Sequence, residues 1–170
     1  MTITTQLVKK LVQIPIFGGL TVQEAAGFFD SAQETSVGAG QTLFREGDDG
    51  DALQVVLEGE VSITRKGVEL AKLGKHSVLG EMSVVGEGEV RSATATALTD
   101  VKLLTVPARR VQKAIKGGDV ASLKVVANLA QVMSKRLAAI NERLVSMSGG
   151  NGKKKEELAD FGRILTSWQF

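Results

Sequence analysis

Cysteine is missing from all 170 residues, and histidine occurs once, as His76. The first absence excludes disulfide scaffolds, zinc knuckles and thiol catalysis, and nothing argues for an oxidising compartment. The second leaves little for metal chemistry and supplies no Ser/His/Asp set, so a binding module rather than an enzyme is expected. The start, MTITTQLVKKLVQIPIF, has basic residues after its first apolar positions and breaks at Pro15, which suits neither a signal peptide nor a membrane span. A soluble, cytoplasmic protein is the expectation. What the chain does have is a hydrophobic fraction of 43%, enough at this length for one core and an appendage.

Net charge is only +2, but it is unevenly spread. Residues 1–101 carry 8 basic and 14 acidic side chains, whereas residues 102–155 carry 12 and 2. The basic half is compatible with nucleic acid, a membrane surface or an acidic protein, and also with a solvated helical face, the reading adopted here.

Organisation changes near residue 107. Before it, short runs rich in Val, Leu and Thr (TLFREG, ALQVVLEG, EVSITRKG, VELAKLG, SATATA, VKLLTVP) alternate with glycines at 40, 47, 59, 67, 74, 80, 86 and 88. That spacing predicts a mainly β domain with flanking helices, an antiparallel β-roll or jelly roll. Two or three short helices should precede it, one of them over about 22–31, because Thr21 and Glu24 stand at capping-box spacing. The acidic turn GDDGD reads as a polar hairpin.

After the strands, Pro107 is placed to open a helix over PARRVQKAI, Gly117-Gly118 closes it, and Asp119 caps a much longer one. Leu123, Val126, Ala130, Met133, Leu137, Ile140, Leu144 and Met147 step by three and four alternately, a heptad seam suited to pairing with a second copy. Val125, Leu129 and Val132 add a second stripe in the first half only, so that half should also pack on its own domain. The alternative is a helix lying along its own domain throughout. Three regions are expected: 1–116, 117–148 and a linker plus amphipathic tail at 149–170, the tail folding back, docking on a partner or fraying. The tail is too short for a helix-turn-helix, so no DNA reader is expected.

One loop carries chemistry. In LGEMSVVGEGEVRSATATA, residues 79–97, a Gly-Glu pair precedes a short helical turn, a glycine-bearing loop and Arg91-Ser92. Backbone N–H groups at the start of a helical turn favour an anion, and Gly80 allows close approach to the main chain. Arg91 offers a planar, permanently charged fork for phosphate oxygens, Ser92 a hydroxyl, and Glu81 an acceptor for a sugar hydroxyl. A salt bridge or solvated pair between Arg91 and Glu81 is the plainer reading of the same residues.

From LVQIPIFGGLT through TVPARRVQKAI and into the long helix, over roughly residues 7–147, the chain resembles a cyclic nucleotide-binding domain, the module of bacterial cyclic AMP receptor proteins, kinase regulatory subunits and gated channels. The specific part is the phosphate-binding cassette, where Gly80-Glu81, MSVV, GEGEV and Arg91-Ser92 stand in the family's order, with ten residues from Glu81 to Arg91 as in the bacterial receptor. The resemblance implies that Arg91 binds the cyclic phosphate, Glu81 the ribose 2′-hydroxyl and Ser92 the phosphate or base, with Gly80, Met82 and Ser83 adding backbone or small-residue contacts. It also implies a ligand-linked movement of the helices after the roll.

The departures bear on ligand identity. His76-Ser77 replaces the usual Gly-Asp turn, with His76 read as a turn residue of a type that tolerates positive φ, and Leu79 replaces a common aromatic. Val90, where kinase subunits often have proline, places the chain with the bacterial branch. Ile140-Asn141 stands where the bacterial receptor sets hydroxyl residues against adenine; Asn141 can donate and accept, but Ile140 has no polar side-chain atom. Cyclic AMP is the first expectation and cyclic GMP the second. The expected function is a homodimeric cyclic-nucleotide sensor that regulates a separate, unidentified protein, with no membrane or nucleic-acid partner. The alternative is a β-roll without ligand, serving as a structural or interaction subunit.

Overall fold

The computed structural model describes residues 4–86 and 90–148, the side chains at 136, 139, 140 and 143–148 excepted. The tail, the centre of the cassette loop at 87–89, and the side chains of Ile140, Leu144 and Met147 therefore lie outside the described residues.

Three short helical pieces come first: α1 (Thr5–Leu11), a 3-10 turn at Pro15–Phe17, and α2 (Val22–Phe28). Thr21 Oγ1 accepts from the Glu24 amide at 3.1 Å while a Glu24 carboxylate oxygen accepts from the Thr21 amide at 2.8 Å, the reciprocal cap that the sequence spacing predicts. The helix stops at Phe28 rather than near residue 31, because Phe29 leaves helical geometry (φ −88°, ψ 2°) and Asp30 N–H turns back to Gly27. This turn puts the Phe29 ring 4.9 Å from Phe17 and 5.1 Å from Phe28, a buried aromatic cluster with tilted, edge-on contacts.

Among the described residues, eight strands form two four-stranded antiparallel sheets. One has the order β1 (Gln33–Val37), β8 (Val101–Pro107), β3 (Ala52–Glu58), β6 (Val78–Leu79); the other runs β2 (Thr42–Phe44), β7 (Thr94–Ala97), β4 (Val61–Arg65), β5 (Val68–Leu73). Val56, Val61, Leu79, Ala95, Ala97, Val101 and Leu103 from both sheets make a shared buried core. The expected antiparallel roll is thus present. His76 has φ 70° in the turn before β6, as its place in the sequence predicts, and its N–H donates to Val56 O at 2.8 Å.

Helix α3 (Met82–Val85) follows β6, and α4 (Ala108–Lys116) follows β8. Pro107 is extended (ψ 124°) and ends the strand, so α4 begins one residue later than the sequence suggests. After Gly118 (φ 75°), Asp119 accepts from the Ser122 amide at 2.8 Å and caps α5 (Val120–Ser148).

The chain divides into two compact units, one ending at Leu129 and the other beginning at Ala130. This division falls inside α5, where Ala121, Val125 and Leu129, the last two from the second apolar stripe, are buried within the first unit. Polar clamps hold the same stretch. Asn128 donates to Ile16 O and Gly18 O at 3.2 and 2.7 Å, and Lys124 Nζ lies 2.8 Å from a Glu24 carboxylate oxygen. The seam residues Leu123 and Leu137 are 44% and 50% exposed. No helix among the described residues is long and apolar enough to cross a membrane.

Candidate functional site

The cassette is assembled where β6 leaves its sheet. β3 pairs with β6 at Gln54↔Leu79 and Val55↔Val78, and the strand ends there because Gly80 turns to φ 70°. Asp51 O accepts from the Ala108 amide at 2.9 Å on the β8 side. Carbonyls alternate in direction along a strand, so Ala52 O faces the other way, past the end of β6. There it accepts from Arg91 Nη1 at 3.0 Å and lies 3.1 Å from Ser83 Oγ. A single backbone oxygen therefore joins the strand, the cassette helix and the arginine.

Gly80 is required twice over at this point. Its φ favours glycine, and a Cβ there would collide with Arg91 Nη1 and Ala52 O. Ser83 is buried, and its hydroxyl, 2.6 Å from Gly80 O, has its one proton committed to the two carbonyls beside it. Ser83 thus shapes the turn, and its hydroxyl proton serves the main chain.

Arg91 is 6% exposed. Its backbone is pinned to the turn between β2 and β3: its N–H donates to Asp48 O at 2.7 Å and its carbonyl accepts from Gly47 N–H at 2.8 Å. Besides the bond to Ala52 O, Nη2 donates to Asp51 Oδ1 at 3.1 Å, and the guanidinium carbon sits 4.3 Å over the Phe44 ring. Nε is buried and has no hydrogen-bond partner among the described residues. A buried donor left unsatisfied costs about 1 to 3 kcal/mol, and a charge-assisted bond to an anion would recover it. The arrangement is a fixed cation whose Nε is the one guanidinium nitrogen without a hydrogen-bond partner among the described residues.

The remaining candidates lie around this centre. Glu81 precedes α3, half-buried; Met82 is 39% exposed; Ser92 is exposed immediately after Arg91. Asn141 is half-buried on α5 in the second unit, so the cassette geometry is built without it. Gly80, Glu81, Met82, Ser83, Arg91 and Ser92 are brought together by β6, α3 and the approach to β7. Asp51, Phe44 and Ala52 O are not singled out by the sequence; the only hint was the GDDGD turn, which supplies Asp51 directly to the arginine.

The cassette is not the open groove of the first unit. A groove of about 700 Å³ lies on the helical side, lined by residues of α2, α4 and the start of α5, including Phe28, Arg110 and Asp119, and by none of the cassette residues. Shape alone would point there, whereas the chemistry for an anion is at Arg91. Arg110 in that groove is already paired with Asp30 at 3.0 Å.

Comparison with known proteins agrees with this geometry. Residues 34–117 match the family described as "Cyclic nucleotide-binding domain". The chain is 39% identical over 97 residues to the Cyclic AMP receptor protein of Thermus thermophilus, covering 54% of this chain and 44% of that protein. It is 43% identical over 65 residues to the cGMP-dependent protein kinase egl-4 of Caenorhabditis briggsae, covering 38% of this chain and 8% of the kinase. The chain thus spans less than half the length of either. The crystal structure of the N-terminal domain of a transcriptional regulator from Streptomyces coelicolor superposes with a TM-score of 0.63 at 34% identity, covering 74% of this chain and 93% of that one. With a reserved arginine donor in a glycine-built cassette and the matched stretch running from β1 to the end of α4, the chain belongs to the cyclic nucleotide-binding domain family.

Proposed function

We propose that this protein is a cyclic-nucleotide sensor, for cyclic AMP in the first instance, that regulates a partner protein through its C-terminal helices. The observation that carries the reading is the buried Nε of Arg91, an ionised donor with no partner among the described residues. The site fits the ligand class because the buried Nε suits a phosphate oxygen, and Gly80, by lacking a Cβ, leaves room for the arginine that carries it.

In this reading Arg91 binds the cyclic phosphate, Glu81 accepts from the ribose 2′-hydroxyl, and Ser92 contacts phosphate or base. Gly80, Met82 and Ser83 contribute main-chain and packing contacts, and Asn141 is the candidate for recognising the base. Asp51 holds Nη2 of the arginine and leaves Nε for the anion. The similarity to a cyclic AMP receptor protein supports cyclic AMP, and the stretch shared with a cGMP-dependent kinase keeps cyclic GMP as the second candidate. The exposed seam residues Leu123 and Leu137 support pairing of α5 with a second copy of the chain.

Binding can shift the helices only to the extent that the ligand prefers one of their arrangements. Calorimetric titration of the protein with cyclic AMP, and separately with cyclic GMP, tests the reading. Saturable binding at micromolar affinity or tighter is expected, with cyclic AMP the tighter. No heat with either ligand at several temperatures would leave the alternative, a β-roll that acts only as an interaction subunit.

A further inference from the structure

The cassette helix α3 has only four residues, and the last carbonyls of any helix lack partners within it. Here one of them, and the carbonyl of the C-cap residue Gly86, are met from another element. Gln112, half-buried on α4, donates from Nε2 to Ser83 O at 2.8 Å and to Gly86 O at 3.1 Å. A carboxamide nitrogen has two hydrogens, and both are used; the reverse orientation would set an oxygen against two carbonyls. The opposite end of α3 is fixed as firmly, through Ser83 Oγ beside Gly80 O and Ala52 O. The small helix is held between the arginine's anchor at one end and α4 at the other. Its exposed side chains are apolar, Met82 at 39% and Val85 at 55%, so Gln112 supplies a directional link that they do not.

We propose that Gln112 is a positioning residue that makes α4 move with α3, so that a change at the cassette is passed to α4 through these two hydrogen bonds. The signalling consequence rests on the sensor reading above, whereas the link itself is a property of the ligand-free protein. Gln112→Glu keeps the length and shape of the side chain and replaces its donors with a carboxylate facing two carbonyl oxygens. Gln112→Lys keeps a donor. Hydrogen exchange of the full chain, followed by mass spectrometry, separates the possibilities.

Without nucleotide, Gln112→Glu should speed exchange in the α3 peptide by about 5- to 100-fold, the equivalent of losing two ordinary hydrogen bonds, while exchange in β3 is unchanged. Gln112→Lys should remain within about threefold of wild type. With saturating cyclic AMP, α3 and α4 should both slow in wild type, and α3 alone in Gln112→Glu. An α3 rate in the ligand-free Glu variant within about twofold of wild type would overturn the link. So would an equal acceleration of β3, which would make Gln112 a general stability residue. Wild-type protection of α4 by nucleotide in the Glu variant would overturn the transmission. If wild type responds to nucleotide in no segment, the sensor reading fails and the transmission with it, and the ligand-free comparison still decides the link.

Discussion

Replacing Arg91 by alanine separates what the arginine does for the ligand from what it does for the fold. In the folded protein its side chain makes a 3.0 Å bond to Ala52 O, a 3.1 Å ion pair with Asp51, and a contact with the Phe44 ring. The pair with Asp51 contributes little, since that carboxylate is 84% exposed and screened. Removing the buried cation also removes its desolvation cost, which offsets much of the lost bonding. Stability should therefore change by no more than about 1 to 2 kcal/mol, and the variant should fold. Affinity should respond far more. One charge-assisted bond from Nε to a phosphate oxygen is worth about 1.5 to 3 kcal/mol. At 1.36 kcal/mol per decade, its loss weakens binding about 10- to 150-fold. Arg91→Lys should fall between, because an ammonium keeps the charge but cannot serve Ala52 O, Asp51 and an anion in three directions of one plane. Calorimetric titration with cyclic AMP reads the affinity, and a thermal melt confirms folding. A folded Arg91→Ala protein that binds within about threefold of wild type would remove Arg91 from the site.

Gly80→Ala should destabilise the protein by at least about 1 to 3 kcal/mol from backbone strain, and should weaken nucleotide binding because the methyl group displaces Arg91; an unchanged urea midpoint would refute the fit described. Glu24 is held below the ordinary carboxylate range, first by the hydrogen bond from Lys124 and then by the Thr21 amide. Its contribution to stability is therefore full above that range and is lost as pH falls through the lowered value. The stability gap between wild type and Glu24→Gln should shrink on acidification through this window, and a gap independent of pH in denaturant titrations would contradict it. Leu137→Glu places a charge in the proposed seam and should shift the protein to monomer in sedimentation at micromolar concentration, by at least about tenfold in dimer dissociation constant. A wild-type sedimentation profile for that variant would move the pairing surface elsewhere.

The parts of this molecule legible in its sequence are those fixed by neighbours in the chain. The Thr21–Glu24 cap, the positive φ of His76, the glycine-closed end of α4 and the Asp119 cap each depend on residues within a few positions. The ends of α2 and α4 were less so, since the exit at Phe29 is set by an aromatic cluster and the extended Pro107 by its place in β8. The division inside α5 was half visible: the stripe through Val125 and Leu129 is in the sequence, but the Asn128 and Lys124 clamps to chain 100 or more residues away are not. At the site, the motif gave Gly80, Glu81 and Arg91, and left Asp51 as one aspartate among three in a polar turn. Gln112 gave no local sign, because its two acceptors are main-chain atoms 26 and 29 positions earlier.

Those main-chain acceptors, with Ala52 O above all, have a bearing on how the protein can be varied. Every amino acid offers the same carbonyl, so point changes at position 52 leave the arginine's inner anchor in place unless they disturb packing. A scan of side chains across β3 would pass over it without a signal. What sets its position is strand register: β3 is fixed against β8 at Ala52↔Pro107 and Leu53↔Val106, and that pairing decides which carbonyl arrives beside Arg91. A one-residue slip of that register would turn the buried side chains of β3 to the opposite face of the sheet. The arginine's inner anchor is thus indifferent to the side chain at position 52 and dependent on the pairing of β3, and a library built to move it should target that pairing before the letter at 52.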